Sequence, residues 1–168
     1  MGKPERQDSF EAVYENNFSV IYRLGYRLLG NSEQALDLAQ EVFLRLYQRL
    51  NGSSPVLDVR SWLYRTASNL SYDWLRRKSR FQKICANHFE RPGQDVEQEL
   101  IKAEENQAMR AALEELSSRD RILLTLYQDE LSYEEISRAM GLRRSSVGTF
   151  ISRAIKSLAK ELEKGEKP

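Results

Sequence analysis

The sequence has a single cysteine, Cys85, and a single histidine, His88. One thiol excludes an intrachain disulfide. One thiol with one imidazole also falls short of the ligand set of a structural zinc site, so Cys85 reads as a passive, reduced side chain. The N-terminal MGKPERQDSF has no apolar signal core, and no run approaches the ~20 apolar residues that cross a bilayer, so a cytoplasmic protein is expected. Four prolines and eight glycines in 168 residues are few for a disordered chain, and no segment carries a strand pattern of any strength. No nucleophile stands with a base, and neither a phosphate loop nor a metal cluster occurs, so no catalysis, cofactor or metal is expected. A net charge of +1 says nothing about partners by itself, because acids cluster mid-chain and basic segments lie on either side.

What is present is helical periodicity. Phe10, Val13, Tyr14, Phe18, Ile21, Tyr22, Leu24, Leu28 and Leu29 recur at threes and fours, which predicts a first helix ending at Gly30. Asn31 or Ser32 can cap a second helix, with Ala35, Leu38, Ala39, Val42, Leu46 and Leu50 inward and Asp37, Gln40, Glu41 and Arg45 along another face. After the turn-rich NGSSPVLD, the segment RSWLYRTASNLSYDWLRRKSR predicts a third helix, with Trp62 and Trp74 among its core positions. Its end carries Arg76, Arg77, Lys78 and Arg80. Cations stabilise a helix C-terminus by a few tenths to ~1 kcal/mol, but four in five residues exceed that need. From Ala86 to about Glu105 the chain turns acidic and loses its periodicity around RPGQD, as a flexible linker does. Helical pattern resumes at Ala108, and Ser117 or Ser118 can cap the helix RDRILLTLYQDE.

The segment LSYEEISRAMGL superimposes a capping box, Ser132 with Glu135, on a hydrophobic staple, Leu131 with Ile136. Gly141 is placed to turn left-handed, and Ser145 or Ser146 can cap the next helix. Helix, glycine turn, helix is the DNA-binding helix-turn-helix arrangement. On a wheel, Val147, Phe150, Ile151, Ala154, Leu158 and Leu162 share one arc, and Thr149, Ser152, Arg153, Lys156 and Lys160 fill the opposite one. Charge pattern alone fits a basic amphipathic surface helix equally well; the capped first helix and the glycine turn favour DNA binding.

DLAQEVFLRLY (Asp37 to Tyr47), SWLYRTASNLSYDWLRRKSR (Ser61 to Arg80) and LSYEEISRAMGLRRSSVGTFISRA follow one another in the chain. In this order they resemble the bacterial RNA polymerase sigma factors of the extracytoplasmic-function (ECF) group, over about Phe10 to Leu162. The resemblance implies an all-α chain of two small helical domains, a sigma-two bundle over residues 1–85 and a sigma-four helix-turn-helix domain over 106–168, on an acidic linker over 86–105. In the family, DLAQE docks on the clamp coiled coil of the polymerase's largest subunit, which assigns core binding to Asp37, Gln40 and Glu41, with Arg45 extending the face. The next motif implies melting and capture of the minus-ten element, after a specificity loop at about Asn51 to Val59. Asn69 and Asp73 would line the pocket for an extruded base, and Arg65, Arg76, Arg77, Lys78 and Arg80 would follow the backbone. Asp73 stands where some members have asparagine. The linker would thread the polymerase cleft towards the RNA exit path. The last helix would read the minus-thirty-five element through Thr149, Ser152, Arg153, Lys156 and Lys160, with Arg143 and Arg144 at its start. Many relatives carry a basic residue where this chain has Ile151; the edge of the apolar arc is no place for a base contact.

The function implied is an alternative sigma factor that binds core polymerase and promoter DNA, duplex and single-stranded, under the control of an anti-sigma protein. The alternative is a free-standing helix-turn-helix regulator that binds duplex DNA as a dimer, which would need paired half-sites and no polymerase.

Overall fold

The computed structural model describes residues 10–52, 56–85 and 100–165. Among the described residues the structure is all-α, with the helices α1 (Phe10–Leu29), α2 (Ser32–Leu50), α3 (Val59–Cys85), α4 (Leu100–Glu115), α5 (Ser118–Gln128), α6 (Tyr133–Met140) and α7 (Arg144–Gly165). None is long and apolar enough to cross a membrane.

The first three helices pack on one another. Gly30, at φ +71°, ends α1, and its N–H donates to the Tyr26 carbonyl. One residue later Asn31 caps α2, its side-chain oxygen accepting from the Gln34 N–H at 2.9 Å. So tight a connection makes α1 and α2 antiparallel neighbours. Phe43 is buried between them, with the rings of Phe10, Tyr14 and Phe18 around it at centroid distances of 6.5, 5.0 and 5.8 Å. α3 closes the unit through Leu63, Ala67, Leu70 and Leu75. It starts on Asp58, whose carboxylate accepts from the Ser61 N–H at 3.0 Å. Trp62 and Trp74 are half-buried against this core.

α4 to α7 form the second unit. The linker expected over residues 86–105 is helical from Leu100, so its last six residues belong to α4; residues 86–99 lie outside the described residues. LIKAEENQAMRAALEE contains no proline or glycine and is built mostly of strong helix formers, which carry the helix upstream of the first periodic core position. Ser117 caps α5 by accepting from the Asp120 N–H at 3.1 Å. All six residues from Arg121 to Leu126 are buried. An amphipathic helix on a surface buries one stripe, so this pattern requires neighbours on opposite sides. α5 has several: it packs against α6 and α7 and against α1 and α3 of the first unit.

Gly25 sets the spacing of α1 and α2. A Cβ there would stand 2.9 Å from Leu38 Cδ2 and 3.3 and 3.4 Å from the Ala35 Cα and carbonyl oxygen. Replacing a mid-helix glycine by alanine gains up to ~1 kcal/mol of helix propensity. Overpacking a core costs about 1–3 kcal/mol, and here part of the obstruction is backbone. Gly25→Ala is therefore expected to destabilise the protein on balance, read as a lower midpoint in urea unfolding; a rise would show that the two helices can separate freely.

Candidate nucleic-acid interface

The helix-turn-helix is specified by local hydrogen bonds. Ser132 Oγ accepts from the Glu135 N–H at 3.2 Å, and Glu135 Oε2 accepts from the Ser132 N–H at 2.9 Å. Both halves of the capping box are thus made. Leu131 and Ile136 are buried beside it. Gly141, at φ +65°, ends α6 with its N–H on the Ser137 carbonyl. The next helix begins sooner than expected: Ser145 and Ser146 lie inside its first turn, and the Ser146 N–H donates to the Arg143 carbonyl at 2.9 Å. The left-handed glycine reverses the chain within three residues, which leaves no room for a serine cap.

α7 buries Val147, Ile151 and Ala154, with Phe150, Leu158 and Leu162 half-buried. Ile151 is only 3% exposed, so its side chain belongs to the core and not to the outward face. Arg143, Arg144, Thr149, Ser152, Arg153, Lys156 and Lys160 are all exposed, which brings that predicted set onto the solvent side of one helix. At the start of that face Arg144 Nε stands 3.5 Å from Glu134 Oε2, while Glu134 Oε1 accepts from Arg138 Nε at 3.2 Å. Tyr133, a residue that periodicity did not single out, lies against Gly148, where a Cβ would be 3.4 Å from its ring. With Arg144, Ser145 and Thr149 it lines the concave joint of α6 and α7.

On α3, Arg65, Asn69, Asp73 and Arg77 recur every fourth residue and form one exposed row, with Arg76 and Arg80 exposed beside it. Lys78 is exposed too, its ammonium 3.8 Å from Glu114 of α4. On α2, Asp37, Gln40 and Arg45 are exposed and Glu41 half-buried; Arg45 Nε donates to Glu41 Oε1 at 2.7 Å. Asp37, Glu41 and Arg45 then meet Asp73, Trp74 and Arg77 across a groove of about 360 Å³ between α2 and α3. Two residue sets assigned separately from sequence are thereby adjacent. Leu36, Leu44 and Tyr47 are also exposed on α2. They were visible as apolar residues off the buried stripe, a signal that the polar motif overshadowed.

Of the expected specificity loop, residues 53–55 lie outside the described residues; its end is anchored by Asp58. The hydroxyl and N–H of Ser61 hold the Asp58 carboxyl below the usual carboxylate range against a small desolvation effect, with Arg138 assisting. Asp129, just past α5, goes the other way: burial raises it, although the guanidinium of Arg27 beside it pulls it down.

A three-helix unit with a cationic helix, followed by a capped helix-turn-helix with a hydroxyl-and-cation face, defines a two-part helical DNA-binding protein. Residues 13–81 match the family described as Sigma-70 region 2, and residues 106–158 match Sigma-70, region 4. The chain is 30% identical over 173 residues to the ECF RNA polymerase sigma factor SigW of Bacillus subtilis (strain 168), covering 93% of this chain and 90% of SigW. It is 31% identical over 168 residues to the ECF RNA polymerase sigma factor SigE of Mycolicibacterium smegmatis, covering 97% of this chain but spanning only 65% of SigE. Its fold is similar to that of the sigma factor RpoE from Bartonella quintana, solved in complex with the anti-sigma factor NepR, with a TM-score of 0.66, 20% identity and coverage of 96% of this chain and 100% of that one. The chain belongs to the ECF group of RNA polymerase sigma factors, which are transcription initiation factors.

The Ser132 hydrogen bonds lower the Glu135 carboxyl below its ordinary value of 4.5. A group lowered in the folded state adds stability that is present above the ordinary value and lost as pH falls through the folded one. Ser132→Ala is expected to cost about 1 kcal/mol at neutral pH and to shrink this acid-side loss, both read from thermal unfolding across pH. An unchanged profile would remove the capping box from the account.

Proposed function

We propose that the chain docks on core RNA polymerase through α2, reads the minus-thirty-five element with α7 and opens and captures the minus-ten element with α3. The observation that carries this reading is the solvent-facing row of α7, Thr149, Ser152, Arg153, Lys156 and Lys160, joined in one chain to a second cationic helix behind a docking motif. On this reading residues 1–85 are the sigma-two domain and 106–168 the sigma-four domain, and residues 86–105 connect them.

Each step has a physical basis. A recognition helix in the major groove sets its N-terminal side chains near base edges and its cations near phosphates. Arg153 and Lys156 suit guanine edges or phosphates, and Ser152 and Thr149 can donate to or accept from several bases. On α3, Asn69 and Asp73 supply hydrogen-bonding groups for an unstacked base, while Arg65, Arg76, Arg77, Lys78 and Arg80 neutralise the strand. Asp73, an acceptor when ionised, favours a base edge that presents donors. On α2, Asp37, Gln40, Glu41 and Arg45 offer a short polar face to a pair of partner helices, with Leu36 and Leu44 adding apolar contact. No catalysis is assigned to the chain; the polymerase carries the chemistry, and the work is done in the cytoplasm.

Control by an anti-sigma protein belongs to the same reading, by analogy with RpoE, whose structure was solved with NepR. A free-standing dimeric regulator is the weaker alternative, since it has no use for a docking motif and a strand-capture helix upstream of its helix-turn-helix.

Purified chain added to core polymerase is expected to start transcripts at defined positions on genomic fragments; absence of any defined start with active core enzyme would overturn the reading. Asp37→Ala or Gln40→Ala should weaken association with core while leaving duplex binding unchanged. Arg153→Ala or Lys156→Ala should cost ~1–3 kcal/mol on the cognate upstream element if the lost contact is a bidentate base pair. Equal weakening on scrambled duplex would make the residue a phosphate contact instead.

A further inference from the structure

The solvent side of α3 carries an aromatic ring among its charges. Tyr72 is 41% exposed and takes no part in the core of the first unit. At about 100° per residue, Arg65, Asn69, Tyr72, Asp73 and Arg76 fall within an arc of about 100°. All five are exposed, so the arc faces solvent. Asn69 precedes Tyr72 by three residues and Asp73 by four, the spacings at which helix side chains are surface neighbours. Among the described residues, no side-chain hydrogen bond, ion pair or ring contact engages Asn69, Tyr72 or Asp73.

A free ring set among cations is the combination that holds single-stranded nucleic acid. The face of the ring stacks on a base, and the guanidinium groups of Arg65 and Arg76 follow the phosphates. On that account alone Asp73 is out of place, because a carboxylate repels the strand. It therefore needs a role that only a carboxylate fills. A carboxylate presents two acceptor oxygens side by side and, when ionised, no donor.

An unstacked base is read along its Watson–Crick edge, and the four bases differ there. Guanine sets two donors next to each other, N1–H and the N2 amino group, beside the O6 acceptor. Adenine and cytosine each offer one amino donor next to a ring-nitrogen acceptor. Thymine has one N–H between two carbonyl oxygens. Only guanine can engage both oxygens of a carboxylate; each of the others sets a lone pair against one of them. The amide of Asn69, one turn away, can donate to O6.

We propose that the base captured on α3 is a guanine, stacked on Tyr72 and held along its Watson–Crick edge by Asp73 and Asn69. This rests on the proposed capture of the minus-ten strand by α3, and it adds the stacking residue and the base that is chosen. In duplex DNA the N1–H of guanine is spent on cytosine, so Asp73 engages the base only after the strands part. The preference for guanine is thereby also a preference for open DNA.

The test uses the full chain assembled with core polymerase and short fluorescent oligothymidylates that carry one guanine, adenine, cytosine, inosine or 7-deazaguanine. Binding is read by anisotropy beyond that of core polymerase alone. Guanine is expected to bind about 5- to 150-fold more tightly than adenine or cytosine. Inosine, which lacks the N2 amino group, should fall between, and 7-deazaguanine, whose Watson–Crick edge is intact, should match guanine. Asp73→Asn should abolish the preference and, by removing a negative charge, tighten binding of the other strands. Tyr72→Ala should weaken all strands by about 5-fold or more, and Tyr72→Phe should restore them. Equal binding of every strand by the wild type, or a preference for another base, overturns the guanine assignment alone. A guanine preference that survives Asp73→Asn removes Asp73 from it, and a Tyr72→Phe chain as weak as Tyr72→Ala refutes stacking. Failure to bind any strand, with transcription from duplex promoters retained, refutes capture by α3 itself and the guanine assignment with it.

Discussion

α5 is an eleven-residue helix with no free face along its middle, and it is the element that packs against helices of both units, α1 and α3 as well as α6 and α7. α5 packs against α6 and α7, and Arg119, at its start, sets its guanidinium 4.5 Å over the ring of Phe150, fixing α7 from its N-terminal half. With Val147, Ile151 and Ala154 anchored inward, the row from Thr149 to Lys160 has only solvent to face. The same helix also packs against α1 and α3, so α7 and α3 are held in one body.

The cations fall into two groups on this scaffold. Among the described residues, no carboxylate stands within ion-pair distance of Arg143, Arg153, Lys156 or Lys160, whereas Arg27, Arg60, Lys78, Arg138 and Arg144 all have one. A free cation on a helix face gains a phosphate for the loss of counterions alone, but a paired one must first give up its carboxylate. The difference follows from position. From Thr149 to Lys160 the outer face of α7 carries no acid and is exposed, and the five paired residues named line the contact of the two units or the joint of α6 and α7.

Most of the helices were legible because each carries a stripe that repeats at threes and fours and a polar residue at its start; Asn31, Ser117 and Ser132 are caps in the structure as in the pattern. The same logic separated Ile151 from Ser152 and Arg153. The readings that failed were local competitions that periodicity does not register. Leu100 to Glu105 lacks a regular apolar stripe yet is composed of helix formers, and Ser145 and Ser146 had the chemistry of caps but stand one turn position too late behind Gly141. The docking of the units was not legible at all. Arg121 and Asp129 look like solvated charges in sequence, and only the three-dimensional arrangement brings Arg27 of a distant helix against the second of them.

The groove between α2 and α3 extends this reasoning to the polymerase. Arg45 is held by Glu41, and the pair stands beside Asp73 and Arg77, so the proposed docking face and the proposed strand-capture row share one set of charges. Two unit charges ~4 Å apart interact by about 1 kcal/mol in water and about 4 kcal/mol at the effective dielectric of a protein surface. A partner that covers α2 and expels water from the groove therefore strengthens each of these interactions and redistributes them. Glu41 bonded to a partner helix would release Arg45 into a groove that Asp73 and Arg77 also line. Coupling of this kind needs no movement of the backbone, only a change of partner among side chains that line one groove, and it would make the proposed capture face differ between free chain and holoenzyme.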